Sequence, residues 1–367
     1  MKTLENKIDR NYAVDLLKLF LCFGVVLYHI NYTFYYGIDD NSIISPGFAC
    51  LFGIPFRGLV NGTFNVYLFC VLSGYFAANK NIVSFKELIV VCLKRYYVFL
   101  VPTFFCNLIC FVLYKNNLFY HKELSFLFNN TWLLNNYPEG ISFLTIVKQS
   151  LYFGSILNQP LWMLSSLFCG NVLIYLSSYL KSKSKRIIWN YVILVLQLLG
   201  YYLFKSVFCF QFIIISVTYA GFIICELQAN PRKLKARLAK IIFIIAFIFF
   251  GNLKFENNTI LCTAYFVASV LLIYLFLMGF LKKNCSKIEK FFTSISFDIY
   301  IIHWPLFLSI CIGGGLSKIY SHIPYDVLYI VAIIWELVLT VVFAFLLNIC
   351  SSKTIQFAKF ISQKINK

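Results

Sequence analysis

Apolar runs of about 20 residues recur along nearly the whole chain, and they limit its fold more than any other feature. A helix of that length rises about 30 Å, the thickness of a bilayer's hydrocarbon core. Inside lipid the backbone must satisfy its own polar groups, which leaves helices or closed barrels. Runs this long select helices. Composition agrees, with 60% of the 367 residues hydrophobic and a mean hydropathy of +0.79. A soluble domain is only about 45–50% apolar. The pattern predicts an all-α, polytopic membrane protein with about ten transmembrane helices. The expected spans are 12–34, 60–79, 88–114, 160–180, 187–204, 207–227, 241–252, 259–281, 295–312 and 326–350. One membrane domain takes the chain, 1–367, and its basic tail, 351–367, is expected on the cytoplasmic leaflet.

The net charge of +18 would suggest nucleic acid, but the positions of the charges argue for topology instead. Loops on the side that holds both termini carry 22 of the 32 lysines and arginines. The opposite loops and their margins hold seven. Positive charge stays inside, so both termini are expected in the cytoplasm. The first run follows Lys2, Lys7 and Arg10 like a signal peptide, yet it is too long for one, and it reads as a retained span. Thirteen cysteines mostly sit singly in apolar runs, where cysteine acts as a small apolar residue. Without CxxC or spaced histidines, no disulfide framework and no metal site are expected.

Within the first span, VDLLKLFLCFGVVLYHI, Lys18 and His29 lie eleven residues apart. Eleven residues return to nearly the same helix face, about 16 Å further along the axis. Asp15 sits three positions before Lys18 on a neighbouring part of that face. Charged groups at membrane depth are costly and mark function by default. An Asp15–Lys18 pair with a snorkelling lysine would account for two of the three, but not for His29. A neutral imidazole there could take a proton from a hydroxyl or carry an acyl group. Lys18 could hold a phosphate or the carbonyl oxygen of a thioester.

Other positions leave alternatives open. Ser73 in Ser73-Gly74-Tyr75 is a helix-packing point or a functional hydroxyl, and no GxSxG elbow surrounds it. Lys94 and Arg95 open the third span, either as topological charges or as a site for an anionic, phosphate-bearing cofactor. Ser296, Tyr300 and His303 share one face of the ninth span, and Pro305 kinks it. Asp298 and Glu336 are acids in apolar runs without an assigned role, while His121 and His322 are expected in solvated external loops.

Together these segments resemble the acyltransferase-3 family of integral membrane acyltransferases, which modify bacterial surface glycans. RNYAVDLLKLFLCFGVVLYHI is similar to the family's first span, with its basic-x10-His motif at Lys18 and His29 and its acid at Asp15. NVYLFCVLSGYF resembles the second-span motif, KRYYVFLVP the basic entry to the third, PLWMLSSLF the Pro-Leu-Trp segment and SFDIYIIHWP the late Tyr-x-x-His helix. The match covers roughly residues 10–310. It departs at Val98, where members often carry the second arginine of Arg-x-x-Arg; Lys94 is the nearest substitute.

The resemblance implies O-acetyl transfer from cytoplasmic acetyl-CoA to a sugar hydroxyl of a capsule, exopolysaccharide or lipid-linked glycan. Lys18, Lys94, Arg95 and Ser73 would bind the acyl-CoA donor. His29 would be base or acyl carrier, Asp15 would orient Lys18, and His303 and Tyr300 would polarise the carbonyl or position the sugar. The expected partners are acyl-CoA, the glycan acceptor and membrane lipids, with no metal and no nucleic acid. The competing expectation is a transporter or flippase for a polysaccharide or lipid-linked precursor, in which the buried stripe would relay protons.

Overall fold

The structure, a computed structural model, describes residues 11–34, 56–80, 82–135, 137–154, 156–184, 209–228, 236–253, 258–282 and 284–365, with five positions between 194 and 203. Its regular elements are helical, and the described residues hold no strand beyond one isolated bridge, Phe119 with Ser309. The long helices are α1 (Tyr12–Phe34), α2 (Gly62–Ala78) and α3 (Phe85–Lys115). Three short helices follow, α4 (His121–Leu127), α5 (Thr131–Asn135) and α6 (Phe143–Leu151). Then come α7 (Leu164–Ser184), α8 (Cys209–Gln228), α9 (Ala236–Gly251) and α10 (Asn258–Gly279). The last are α11 (Lys287–Ser294), α12 (Ser296–Leu308), α13 (Gly313–Ile319) and α14 (Tyr325–Ile365).

Five stretches are long and apolar enough to cross a membrane: Tyr12–Phe34, Phe85–Lys115, Gln159–Leu180, Asn258–Gly279 and Tyr325–Thr354. The pair α11 and α12, bent by 56°, would make a sixth. Gly62–Ala78 and Gln211–Glu226 are shorter apolar helices. Nine of the expected spans thus fall on helices, and the tenth, 187–204, lies largely outside the described residues.

Three expectations need correction. The ninth span does not run to 312: α12 stops at Leu308, where the Ser309 hydroxyl folds back on the Leu306 carbonyl at 2.7 Å. The last helix does not end near 350, because α14 continues unbroken through Ile365. His121 is buried, 5% exposed, with its Nδ1 3.2 Å from the Phe119 carbonyl. The segment around it folds into α4–α6 over the bundle end, so the side chain is covered by its own loop.

Helix contacts orient the bundle. Side chains pair in reverse order along α1 and α2. A Cβ at Gly62 would meet the Tyr28 ring at 2.4 Å, one at Gly24 would meet Asn65 Nδ2 at 2.2 Å, and Lys18 lies over Phe76. The two helices are therefore antiparallel. Asn11 fastens the start of α1 by donating to the Phe280 carbonyl at 2.9 Å, beside the segment that leads into α11 and α12. α12 then runs parallel to α1 and brings His303 beside His29.

α2 packs on α8 with almost no side chain between the backbones. A Cβ at Gly74 would stand 1.7 Å from the Thr218 carbonyl oxygen, and one at Gly221 2.1 Å from that of Val71. Small residues allow such approach, and membrane helices associate largely through packing of this kind. Gly74→Leu should therefore force α2 and α8 apart and cost about 1–3 kcal/mol or more. Thermal unfolding of the detergent-solubilised protein would read this as a lowered midpoint; an unchanged midpoint would mean the helices do not meet there.

Candidate active site

The residues expected to act gather into two groups, one toward each end of α1. At the inner group Asp15 and Lys18 form an ion pair at 3.6 Å, both half-buried. The Lys18 ammonium also lies 3.7 Å from the centre of the Phe76 ring, on the last turn of α2. Ser73, one turn earlier on α2, accepts a hydrogen bond from Arg95 Nη2 at 2.8 Å and a longer one from Asn171 Nδ2 at 3.4 Å. The Arg95 guanidinium is further held 4.3 Å above the Phe99 ring. Two cations from different helices thus converge on the end of α2. Both groups that bond Ser73 are donors, so its hydroxyl serves as an acceptor that fixes Arg95, not as a nucleophile with a base beside it. Lys94, by contrast, is exposed, and Val98 stands one turn beyond Arg95. No second guanidinium faces Ser73 from that turn.

At the outer group the His29 and His303 rings are 5.3 Å apart, and His29 lies 4.9 Å from the Trp304 indole. His303 Nδ1 is 2.8 Å from the Tyr300 carbonyl. A carbonyl only accepts, so this bond assigns the proton to Nδ1 and leaves the lone pair on Nε2. That buried Nε2 has no hydrogen-bond partner, and neither has the buried Nδ1 of His29. No protein group engages either nitrogen, so both remain open to proton transfer.

His29 lines a cavity of about 260 Å³. Tyr28 and Val25 of α1, Gly62 and Val66 of α2, Trp132 of α5 and Pro160 complete much of its wall. Tyr300 also lines it, but its hydroxyl donates to the Pro160 carbonyl. Its proton is therefore engaged in holding the 159–163 turn against α12.

That turn is fixed a second way. Pro305 has no N–H, so the Ile301 carbonyl one turn back loses its helical donor. Asn158 Nδ2 supplies the replacement at 2.8 Å, and the Cys106 thiol of α3 adds a contact at 3.4 Å. The kink beside His303 is in this way tied to the turn that walls the cavity. Trp304 is anchored from the other side, donating from Nε1 to the Tyr137 hydroxyl at 2.6 Å.

A family model described as an acyltransferase domain matches residues 11–350. The chain belongs to the acyltransferase-3 family. No curated protein and no solved structure matches it. The match reaches from the start of α1 to residue 350 in α14, so it includes both groups of the site. In a multi-pass membrane acyltransferase, an imidazole at a cavity wall with a second imidazole behind it has the chemistry of a proton-transfer pair or of a nucleophile with its neighbour. Among the described residues no group of three or more His, Cys, Asp and Glu stands close enough to hold a metal ion.

Sequence reasoning missed Asn158 and the aromatic walls, Tyr28 and Trp132. Asn158 had a signal: Pro305 releases a carbonyl at position 301, and something polar had to reach it. Asn158→Leu should leave that carbonyl with only the weak Cys106 thiol and lower stability by about 1–3 kcal/mol. Acyl transfer should fall as well, since both cavity wall and His303 helix lose their tie. A variant with wild-type unfolding and turnover would show the bond to be idle.

Proposed function

We propose that this acyltransferase moves an acetyl group from cytoplasmic acetyl-CoA to a sugar hydroxyl of a capsule, exopolysaccharide or lipid-linked glycan. It would sit in the bacterial cell membrane with ten spans and both termini in the cytoplasm, as the charge asymmetry of the loops favours. The observation that carries the chemistry is the His29–His303 pair, 5.3 Å apart, each with a buried nitrogen that no protein group engages, and with His29 in the wall of the cavity.

The cavity, about 260 Å³, lies just below the usual range of ligand pockets, about 300–1,000 Å³. It suits the acyl end of a donor and one hydroxyl rather than a whole nucleotide thioester. In the reaction His29 takes the proton from the sugar hydroxyl as the oxygen attacks the thioester carbonyl. The tetrahedral intermediate collapses, the C–S bond breaks, and the proton passes from the imidazolium to the departing thiolate. If His29 is instead the acyl carrier, its nitrogen attacks the thioester carbonyl, the C–S bond breaks and coenzyme A leaves as the thiol with the imidazole's proton. The sugar hydroxyl then attacks the acyl-imidazole, the C–N bond breaks and the hydroxyl proton passes to the freed imidazole. Lys18 and Arg95 would meet the phosphate-bearing part of the donor from the inner side, with Asp15 orienting Lys18 and Ser73 holding Arg95.

Proton NMR of the envelope polysaccharide tests the reading. A strain lacking the gene should lose O-acetyl signals, wild type should restore them, and His29→Ala should not, although it inserts normally. Full acetylation with His29→Ala would remove His29 from the mechanism. Unchanged acetylation with altered surface polysaccharide would point to export. At the inner group Lys18→Arg should keep partial turnover if charge alone matters. If it falls as far as Lys18→Ala, the compact ammonium itself is required.

A further inference from the structure

A second cavity, about 430 Å³, lies outside the reaction cavity, between the end of α3 and the start of α4. It falls within the size range of small-molecule sites, about 300–1,000 Å³. Tyr137 and Phe119 supply buried aromatic surface, and Lys115, Lys122, Glu123 and Glu139 supply donors and acceptors. The charges cancel in pairs, and Lys122 is already bound to Glu139 at 3.0 Å. His121 adds no charge, because burial holds its imidazole below the usual range. A site for phosphate or coenzyme A would carry surplus positive charge. This one offers rings and paired hydrogen-bonding groups to a neutral ligand rich in hydroxyls.

The cavity is also joined to the reaction site. Tyr137, in its wall, accepts the bond from Trp304 Nε1, and Trp304 touches His29. Its backbone is stitched to the end of the histidine helix: Tyr120 N donates to the Leu308 carbonyl at 2.6 Å, and Ile310 N to that of Leu118 at 3.0 Å.

We propose that this cavity is a saccharide subsite, which binds a neutral sugar unit of the acceptor other than the one acylated. The inference rests on the acceptor being a glycan, as argued above. It makes the enzyme a reader of glycan length: fragments of several units fill both cavities, and a single sugar fills only one.

The probe is envelope glycan of the source organism, stripped of esters with mild base and cut to single units and to fragments of three to five. Calorimetry on the full-length protein in detergent measures binding. The longer fragments should bind at least tenfold tighter than single units. Lys115→Gln with Glu123→Gln, both exposed positions, should weaken the longer fragments about tenfold and leave single units unchanged. Equal affinity for both lengths, or a variant that binds like wild type, would overturn the subsite, as would inorganic phosphate competing with the fragments. Release of free coenzyme A thiol is followed separately. If fragments bind with the expected length dependence but no thiol is released, the subsite stands and the acyltransferase chemistry falls.

Discussion

One carbonyl oxygen organises the outer half of this molecule. Pro305 deprives Ile301 of its helical hydrogen bond at a depth where the chain must supply every partner itself. Asn158 answers from the turn before α7, and Cys106 from α3. A defect in one helix is thereby converted into a junction of three elements. The same turn presents Pro160, whose carbonyl receives the Tyr300 hydroxyl. His303 follows both ties within one helical turn, and its Nδ1 bonds the carbonyl of Tyr300, so its ring is held from that side of the helix. A straight α12 would need neither, and the turn that walls the cavity would have nothing to dock against.

The inner half rests on the opposite device, the near absence of side chains. Gly74 and Gly221 bring α2 and α8 into backbone contact, which fixes the end of α2. Ser73 sits beside that contact and holds Arg95; Phe76, nearly one turn on, carries Lys18 on its ring face. The packing and functional readings of the Ser-Gly-Tyr motif are thus not rivals. The glycine packs, and the neighbouring serine orients a cation.

The sequence displayed the periodic and chemical features, because they are local. The stretch 12–34 is mostly apolar and forms one helix, with Lys18 and His29 on a common stripe. Tyr300 and His303 are likewise neighbours on a single helix. What sequence could not display was the third dimension of short segments. His121 looks like a loop residue until α4–α6 fold over it, and Trp132 lies in a five-residue helix without a pattern of its own. Arg95 and Lys94 are adjacent in the chain, yet only one turns toward Ser73. That choice is made by the rotation of α3 against α2, which no spacing within α3 encodes.

Geometry also divides the labour between the two groups. Lys18 and His29 are separated by about 16 Å along one helix axis, whereas proton transfer needs contact within about 3 Å. A lysine side chain does not close that gap, and Asp15 and Phe76 hold it in place. The two residues cannot serve the same atom. If the thioester reacts at His29 as proposed, of the two tasks open to Lys18 only the anionic portion of the donor is within its reach. A donor long enough to touch both groups would lie along α1, with its charge at the cations and its acyl end at the imidazoles. On that reading the first span would work as a ruler, with the spacing of a cation and a histidine matched to the distance between the two ends of the proposed donor.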